Sequence, residues 1–440
     1  MTIITRNAEL FALCMQKLGL DTPGTKIAVA VSGGGDSLAL TLLMQQWVEK
    51  RGGRMLALTV DHGLRPDSAA EAAGLHALLE KRGIRHDVLK WVGEKPHTHI
   101  QERAREARYA LLLAACRREG FPTLALAHNL EDQVETFWMR LSKGSGLDGL
   151  AAMAPSRVVD GVNIVRPVLS FSRADLREVC RDFGVEWAED PSNRNEQFLR
   201  VKLRQVEDLL AAEGMTPQRL SQTLQKLEEA RDALQVWADE AAGKMIAFHP
   251  EGFATLNTPA WRLLPADIQR RVLSSALMAV APRDYAPGFE QLEQLRCDMP
   301  GEKFSGRTLS GCEIFPGKEG EMTLCREAAA AAGASPLENG LLWDGRFRVS
   351  DYRNGAGLQI RILGEEGLAR FRQKGAPETP PFTRLESLPY KVRKVIPALW
   401  KGEILMAIPH LNWTAAEADS GLLAGKVEFV RNGAAPVKIV

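Results

Sequence analysis

Apolar residues along the first half of the chain recur with two alternating periods. Lys26-Ile-Ala-Val-Ala-Val31 is a short apolar run ending in Ser-Gly, and over residues 38–50 the apolar positions fall at helical spacing. Residues 54–60 repeat the strand character, and a helical segment follows at about 67–82. Residues 84–91 read as a third strand, 100–119 as a helix, 123–127 as a buried strand, 131–142 as a helix and 163–169 as a further strand. Strands parted by helices predict an α/β domain with a parallel sheet covered on both faces. Ligands of such sheets sit beyond the carboxyl ends of the strands, so the residues just after each strand carry the most chemical interest.

Near Ser172 the pattern changes. Ser172-Arg-Ala-Asp175 predicts a helix start. Residues 200–248 are almost wholly helix formers, and the Ala-rich stretch at 328–336 reads as a linker. Beyond it, strand-like runs at 341–349, 358–363 and 404–408 are broken by Gly and Pro. The chain therefore divides by expectation into a parallel-sheet catalytic domain (1–206), a helical domain (207–328) and a small α+β domain (329–440).

Composition narrows the class. At 440 residues the chain is too long for one ordinary domain, and 45% hydrophobic with 25% charged residues excludes disorder as its main character. Lys plus Arg number 56 against 55 Asp plus Glu, so any polyanion site must be a local patch. Six cysteines lie far apart with no C-x-x-C, which favours reduced thiols over a disulfide framework or zinc knuckle. No run approaches the roughly 18–20 apolar residues of a membrane span. The start has no cationic stretch before an apolar one, and the chain is expected in the cytoplasm.

The strongest local signal is Ser32-Gly-Gly-Gly-Asp-Ser37, between a buried strand and a helix. A helix start offers unpaired amides, and glycines let a phosphate approach the backbone closely. Ser32 and Ser37 add hydroxyl donors, Gly33, Gly34 and Gly35 shape the cradle, and Asp36 can hold a magnesium ion bridging phosphate oxygens. No Lys follows the glycines, and the G-x-G-x-x-G spacing is absent, so neither familiar phosphate loop fits. The form S-G-G-x-D-S instead resembles the PP-loop of the ATP pyrophosphatase superfamily. That resemblance implies ATP as substrate, adenylation of an oxygen with release of pyrophosphate, and displacement of AMP by a nucleophile.

Further segments point one way within that superfamily. Thr59-Val-Asp-His-Gly-Leu-Arg65, Ala104-Arg-Glu-Ala-Arg-Tyr109, Ala127-His-Asn-Leu-Glu-Asp-Gln-Val-Glu-Thr136, residues 140–150 and Glu189-Asp-Pro-Ser-Asn193 occur in this order. The set is similar to the tRNA(Ile)-lysidine synthase family over about residues 26–204, and more loosely at Leu388-Pro and Ile396-Pro-Ala-Leu-Trp400. The resemblance implies that ATP adenylates C2 of the wobble cytidine in a CAU-anticodon tRNA(Ile), and that the ε-amine of free L-lysine then replaces AMP. Where the family pattern has a second His this chain has Asn129; Glu131 replaces an Asp, and Arg200-Val201 stands for Arg-Asn.

Asp132 and Glu135 are three apart, so on a helix they share a face and can both meet the lysine ammonium. A solvated acidic patch, or an ion pair with Arg140, would use the same residues. His128 can donate to a phosphate or base, or serve as a structural His. Arg105 and Arg108 can neutralise phosphate or the charge on the adenylated base. Asp61 is a weaker nucleotide candidate; Asp190 and Asn193 lie in a turn by composition, with Arg200 and Arg204 beyond them as nucleotide or tRNA contacts. For the tRNA itself, Arg262, Arg270 and Arg271, and Arg384, Lys391, Arg393, Lys394 and Lys401, form basic clusters. Trp261 and Trp400 are candidates for base stacking, or else core residues. A thiolase of the iron–sulfur type would bring C-x-x-C pairs, and an amidotransferase a nucleophilic Cys near the start; neither is present.

Overall fold

The computed structural model describes residues 3–63, 68–92, 100–187, 209–283, 285–299, 301, 304–352, 357–374, 379–416 and 425–430. It forms two compact units, Met1–Arg231 and Asp232–Val440.

In the first unit the chain runs through α1 (Ile3–Lys17), β1 (Lys26–Ala30), α2 (Gly35–Glu49), β2 (Arg54–Asp61), α3 (Ser68–Glu80), β3 (His86–Lys90), α4 (Ile100–Glu119) and β4 (Thr123–Ala125). It continues through α5 (Leu130–Leu141), α6 (Leu147–Leu150), β5 (Ser156–Val159), β6 (Val162–Val165) and α7 (Arg173–Asp182). The sheet order is β3-β2-β1-β4-β6-β5, parallel except for the β5–β6 pair. Successive strand side chains point to opposite faces. Ile27, Val29, Ala57, Ala125 and Val165 pack with Phe11 and Met15 of α1 and with α2, α3 and α7. Ala28, Leu56, Leu58, Leu124 and Ile164 meet Leu112, Leu113 and Cys116 of α4 on the other side. This is the two-sided burial that near-continuous apolar strands demand.

The predicted elements agree to within a few residues, with three additions, one of them the single-turn helix α6. Strand β5 exposes Ser156, Arg157 and Val158, so it lacks the apolar signature by which the other strands are legible. Helix α1 was also not foreseen, though it supplies Phe11 and Met15 to the core.

The second unit is richer in strands than its composition suggests. Helices at Thr258–Arg262, Ala266–Val280 and Phe289–Asp298 accompany a five-stranded antiparallel sheet built from residues 246–326. Its strands are short, three to six residues, and are hidden among helix formers. The Ala-rich stretch expected as a linker holds a 3-10 turn at Ala328–Ala330 and a strand at Ser335–Pro336, which pairs with the strand Gln359–Ile362. The expected strand at 341–349 is a hairpin of Leu342–Trp343 and Phe347–Ser350. A further sheet contains Gln359–Ile362 and Ile404–Ile408, near the expected runs, and between them Pro397–Lys401, which was not expected as a strand. No helix among the described residues is long and apolar enough to cross a membrane.

Candidate active site

The sheet order reverses between β1 and β4. One connection leaves β1 toward β2, while β4 continues on the other side, so a crevice opens at the carboxyl ends of these two strands. Both of the strongest sequence motifs fall there: Ser32–Ser37 follows β1, and His128–Thr136 follows β4.

The Gly-rich loop is tied to itself. Ser37 Oγ donates to the Gly34 carbonyl at 3.0 Å, accepts from the Ser32 amide at 3.1 Å, and lies 3.1 Å from Ser32 Oγ. Gly33 has φ +84°, which a side chain would strain. Gly35, the first residue of α2, faces the Trp187 indole, and a Cβ there would meet the ring at 3.3 Å. The loop is thus a bare-backbone turn leading into the start of α2, as a phosphate cradle requires.

Across the crevice, Asn129 caps α5. Its Oδ1 accepts from the Asp132 amide at 2.9 Å, and the Asp132 carboxylate accepts from the Asn129 amide at 3.1 Å. The remaining Asn129 Nδ2 donates to Asp36 Oδ2 at 2.9 Å. One fully buried amide therefore joins the Gly-rich loop to the acidic helix. Burial pushes the Asp36 carboxyl up to about 6; the Arg173 guanidinium opposes this rise, and Asp132 and Glu131 add to it.

Asp132 and Glu135 do share a face of α5, and they meet a cation, but that cation is Arg173. Its Nη2 lies 3.3 Å from Asp132 Oδ1 and 3.1 Å from Glu135 Oε1, while its backbone amide donates to the Glu131 carboxylate at 3.0–3.2 Å. Arg173 opens α7 behind a capping box of Ser172 and Asp175, the helix start that the sequence predicted. Burial works against the Arg173 charge, but Asp132 and Glu135 outweigh it and raise its pKa. Arg140 plays a different part and donates to the carbonyls of Gly149 and Ala152.

Other sequence-chosen residues lie as follows. His128 is half-buried directly before the cap. Asp61 ends β2 and accepts from the Gly63 amide at 2.9 Å, which holds its carboxyl below the usual range. Arg105 and Arg108 are exposed on α4, which covers the opposite face of the sheet from α2. The guanidinium of Arg105 lies over the Tyr109 ring rather than at the loop. Asp190, Asn193, Arg200 and Arg204 lie outside the described residues. Among the described residues no group of three or more His, Cys, Asp or Glu suits a metal ion. Asp36 remains fit for magnesium, which commonly takes one or two carboxylates and completes its shell with phosphate and water.

In the second unit the stacking candidates are overturned. Trp261 and Trp400 are 0% and 1% exposed, and Trp261 Nε1 donates to the Gln269 carbonyl at 3.0 Å. An adjacent basic residue says nothing about which way an indole points. Most of the clustered cations also have carboxylate partners. Arg270 pairs with Glu293 and Asp267, Arg271 with Asp267, Arg384 with Glu251, Lys391 with Glu313, Arg393 with Glu386 and Lys394 with Glu365. Arg262 and Lys401 lie exposed.

The sequence left two side chains of this crevice unassigned. Asn129 before a helix signals a cap, but its bond to Asp36 spans 93 positions; Arg173 reaches Asp132 across 41. Local spacing shows neither.

Comparison with known proteins follows the same lines. Residues 7–209 match the PP-loop domain model. The chain is 36% identical over 405 residues to a tRNA(Ile)-lysidine synthase of Ruegeria pomeroyi, covering 91% of this chain and 92% of that one. It is 30% identical to the enzyme of the same name from Wolbachia pipientis wMel, over 88% of this chain and 89% of that one. Among solved structures, the U34-tRNA thiolase NcsA from Methanococcus maripaludis aligns at a TM-score of 0.44 and 18% identity, covering 50% of this chain and 79% of that one, too distant to bear on function.

Proposed function

The chain belongs to the tRNA(Ile)-lysidine synthase family, and on that footing we propose that it joins free L-lysine to C2 of the wobble cytidine in CAU-anticodon tRNA(Ile). It is an ATP-using ligase that modifies the tRNA wobble cytidine. In the proposed reaction the C2 oxygen attacks the α-phosphorus of ATP, the α–β anhydride breaks and pyrophosphate leaves. The lysine ε-amine then bonds to C2, the C2–O bond breaks, and AMP departs with the oxygen.

The observation that carries this reading is the Asn129 amide, which sets the Gly-rich loop beside the acidic face of α5. One side of the crevice suits a pyrophosphate, the other an ammonium. Ser32 to Ser37 would hold the phosphates through backbone amides and hydroxyls. Magnesium, when bound at Asp36, would supply positive charge to the phosphate oxygens. Asp132 and Glu135 would orient the ammonium and take its proton as the amine becomes a nucleophile. His128 would donate to a phosphate or the base, Arg108 would face the charge of the adenylated base, and Asp61 would lie near the nucleotide. Arg105, Asp190, Asn193, Arg200 and Arg204 would follow the nucleotide or tRNA. Residues 207–328 and 329–440 would grip the tRNA, with exposed Arg262 and Lys401 against phosphates.

Incubating the protein with labelled lysine and bulk bacterial tRNA, with and without ATP, tests the reading. Label recovered as a modified cytidine only with ATP is the expected result. ATP-dependent AMP release with another nucleophile, and no fixed lysine, would keep the loop chemistry and overturn the lysine assignment.

A further inference from the structure

We propose that Thr59 and His86 are positioning residues for the phosphate loop: a directed chain of hydrogen bonds from His76 to the Val31 carbonyl fixes the peptide with which the loop begins. This rests on the reading that Ser32 to Ser37 hold the phosphates of ATP, and it adds two buried residues to that site.

The starting point is the end of β1. Its ladder with β2 stops at Ala30 and Leu58. One residue on, the Val31 amide still donates to the Leu58 carbonyl at 2.9 Å, but the Val31 carbonyl is taken by a side chain, the Thr59 hydroxyl, which donates to it at 2.8 Å. The other end of the same peptide is the Ser32 amide, which donates to Ser37 Oγ at 3.1 Å. A peptide unit is planar, so holding its oxygen and its nitrogen sets the orientation of the whole plane. The oxygen is held from the sheet and the nitrogen from the loop.

Thr59 is itself held. Its Oγ1 lies 2.8 Å from His86 Nε2, and His86 Nδ1 lies 3.1 Å from His76 Nδ1. The protons order these contacts. A carbonyl only accepts, so the single hydroxyl proton of Thr59 points to Val31, and Thr59 Oγ1 must accept from His86 Nε2. His86 is 5% exposed, and burial, with His76 adding to it and Asp87 opposing, pushes its pKa down to about 4. The neutral ring therefore carries its one proton on Nε2, and the bare Nδ1 accepts from His76 Nδ1. Every hydrogen bond runs one way, from exposed His76 on α3 through β3 and β2 to the end of β1. The same helix also reaches the loop directly, since a Cβ on Gly33 would meet Leu75 Cδ2 at 3.8 Å.

A phosphate cradle binds best when its amides already point at the ligand before it arrives. Fixing the first peptide removes freedom that the loop would otherwise lose on binding. Releasing that peptide should weaken the hold on ATP and leave the acidic face of α5 unaffected.

ATP affinity and steady-state kinetics of full-length variants test the chain. Thr59→Val keeps the side-chain shape and removes the hydroxyl. It is expected to weaken ATP binding and raise the ATP KM about tenfold, with the lysine KM changed less than about twofold. Thr59→Ser keeps the hydroxyl and should stay within about threefold of the wild type. His86→Phe should raise the ATP KM by a smaller factor, and the double variant should do no more than Thr59→Val alone, because both act through one bond. A lowered urea midpoint with ATP affinity unchanged would make the chain a packing feature only and overturn the proposal. Thr59→Ser as weak as Thr59→Val, or strictly additive effects in the double variant, would overturn it too. If Thr59→Val does not fold, His86→Phe decides alone, and unchanged ATP affinity there counts against the chain. Wild-type protein that binds no ATP would instead overturn the loop reading, and this one with it.

Discussion

The crevice in the first unit and the basic surface of the second were both chosen from sequence, and the structure treats them differently. At the crevice, residues from α2, α5 and α7, with the Asn129 cap, converge within hydrogen-bond distance. In the second unit, cations that cluster along the chain are mostly met by carboxylates from elsewhere, such as Glu251 for Arg384 and Glu313 for Lys391. Side chains from several elements that meet at the carboxyl ends of strands mark a candidate ligand site, whereas cations met by nearby carboxylates mark a surface. Where both partners of such a pair are exposed, it contributes little, from about 0 to 1 kcal/mol.

That contrast can be broken from either side. The largest effect is expected at Asp36→Ala, where turnover should fall by about a thousandfold or more while urea unfolding stays cooperative. Unchanged turnover would strip the crevice of its role. Next comes Trp261→Ala, which should cost about 3–5 kcal/mol of stability in urea titrations, as removal of a core indole does. If tRNA affinity dropped instead with stability intact, the second unit would hold a base platform after all.

Glu135→Ala is expected to raise the lysine KM about tenfold and the ATP KM much less. Equal changes in steady-state kinetics would move Glu135 to the nucleotide. Raising salt from about 50 to 200 mM should weaken tRNA binding roughly tenfold or more, read by filter binding. A flat response would remove the basic clusters from the tRNA interface.

The smallest effect is one of linkage. Asp36 is raised from 3.8 to about 6 in the folded state, so the folded protein holds its proton more tightly than the unfolded chain does. Stability from this group therefore falls as pH rises between about 4 and 6, and levels off above. Asp36→Asn lacks that slope, so its urea midpoint should gain on the wild type across this window. Parallel midpoints would show that Asp36 titrates normally.

The alternating sheet and the Gly-rich turn were legible because each depends on local chemistry: apolar runs buried on both faces, and glycines where a backbone must lie bare. The cap at Ser172 was legible for the same reason. Residues whose role depends on distant partners were not. Arg173 reads as an ordinary helix-start residue until α7 is laid against α5, and Trp400 looks available for stacking until its strand is packed. The strands of residues 246–326 escaped notice because three to six residues are too few to outweigh the helical composition around them.

Asn129 gives the crevice a property beyond its shape. A single side chain that accepts from the backbone of α5 and donates to Asp36 cannot adjust to one without informing the other. Seating a nucleotide on the loop is therefore expected to change the free energy of filling the acidic pocket. By thermodynamic reciprocity, an amine in that pocket alters nucleotide affinity by the same factor. The two substrates would be felt as a pair, through one amide, before any bond between them is made.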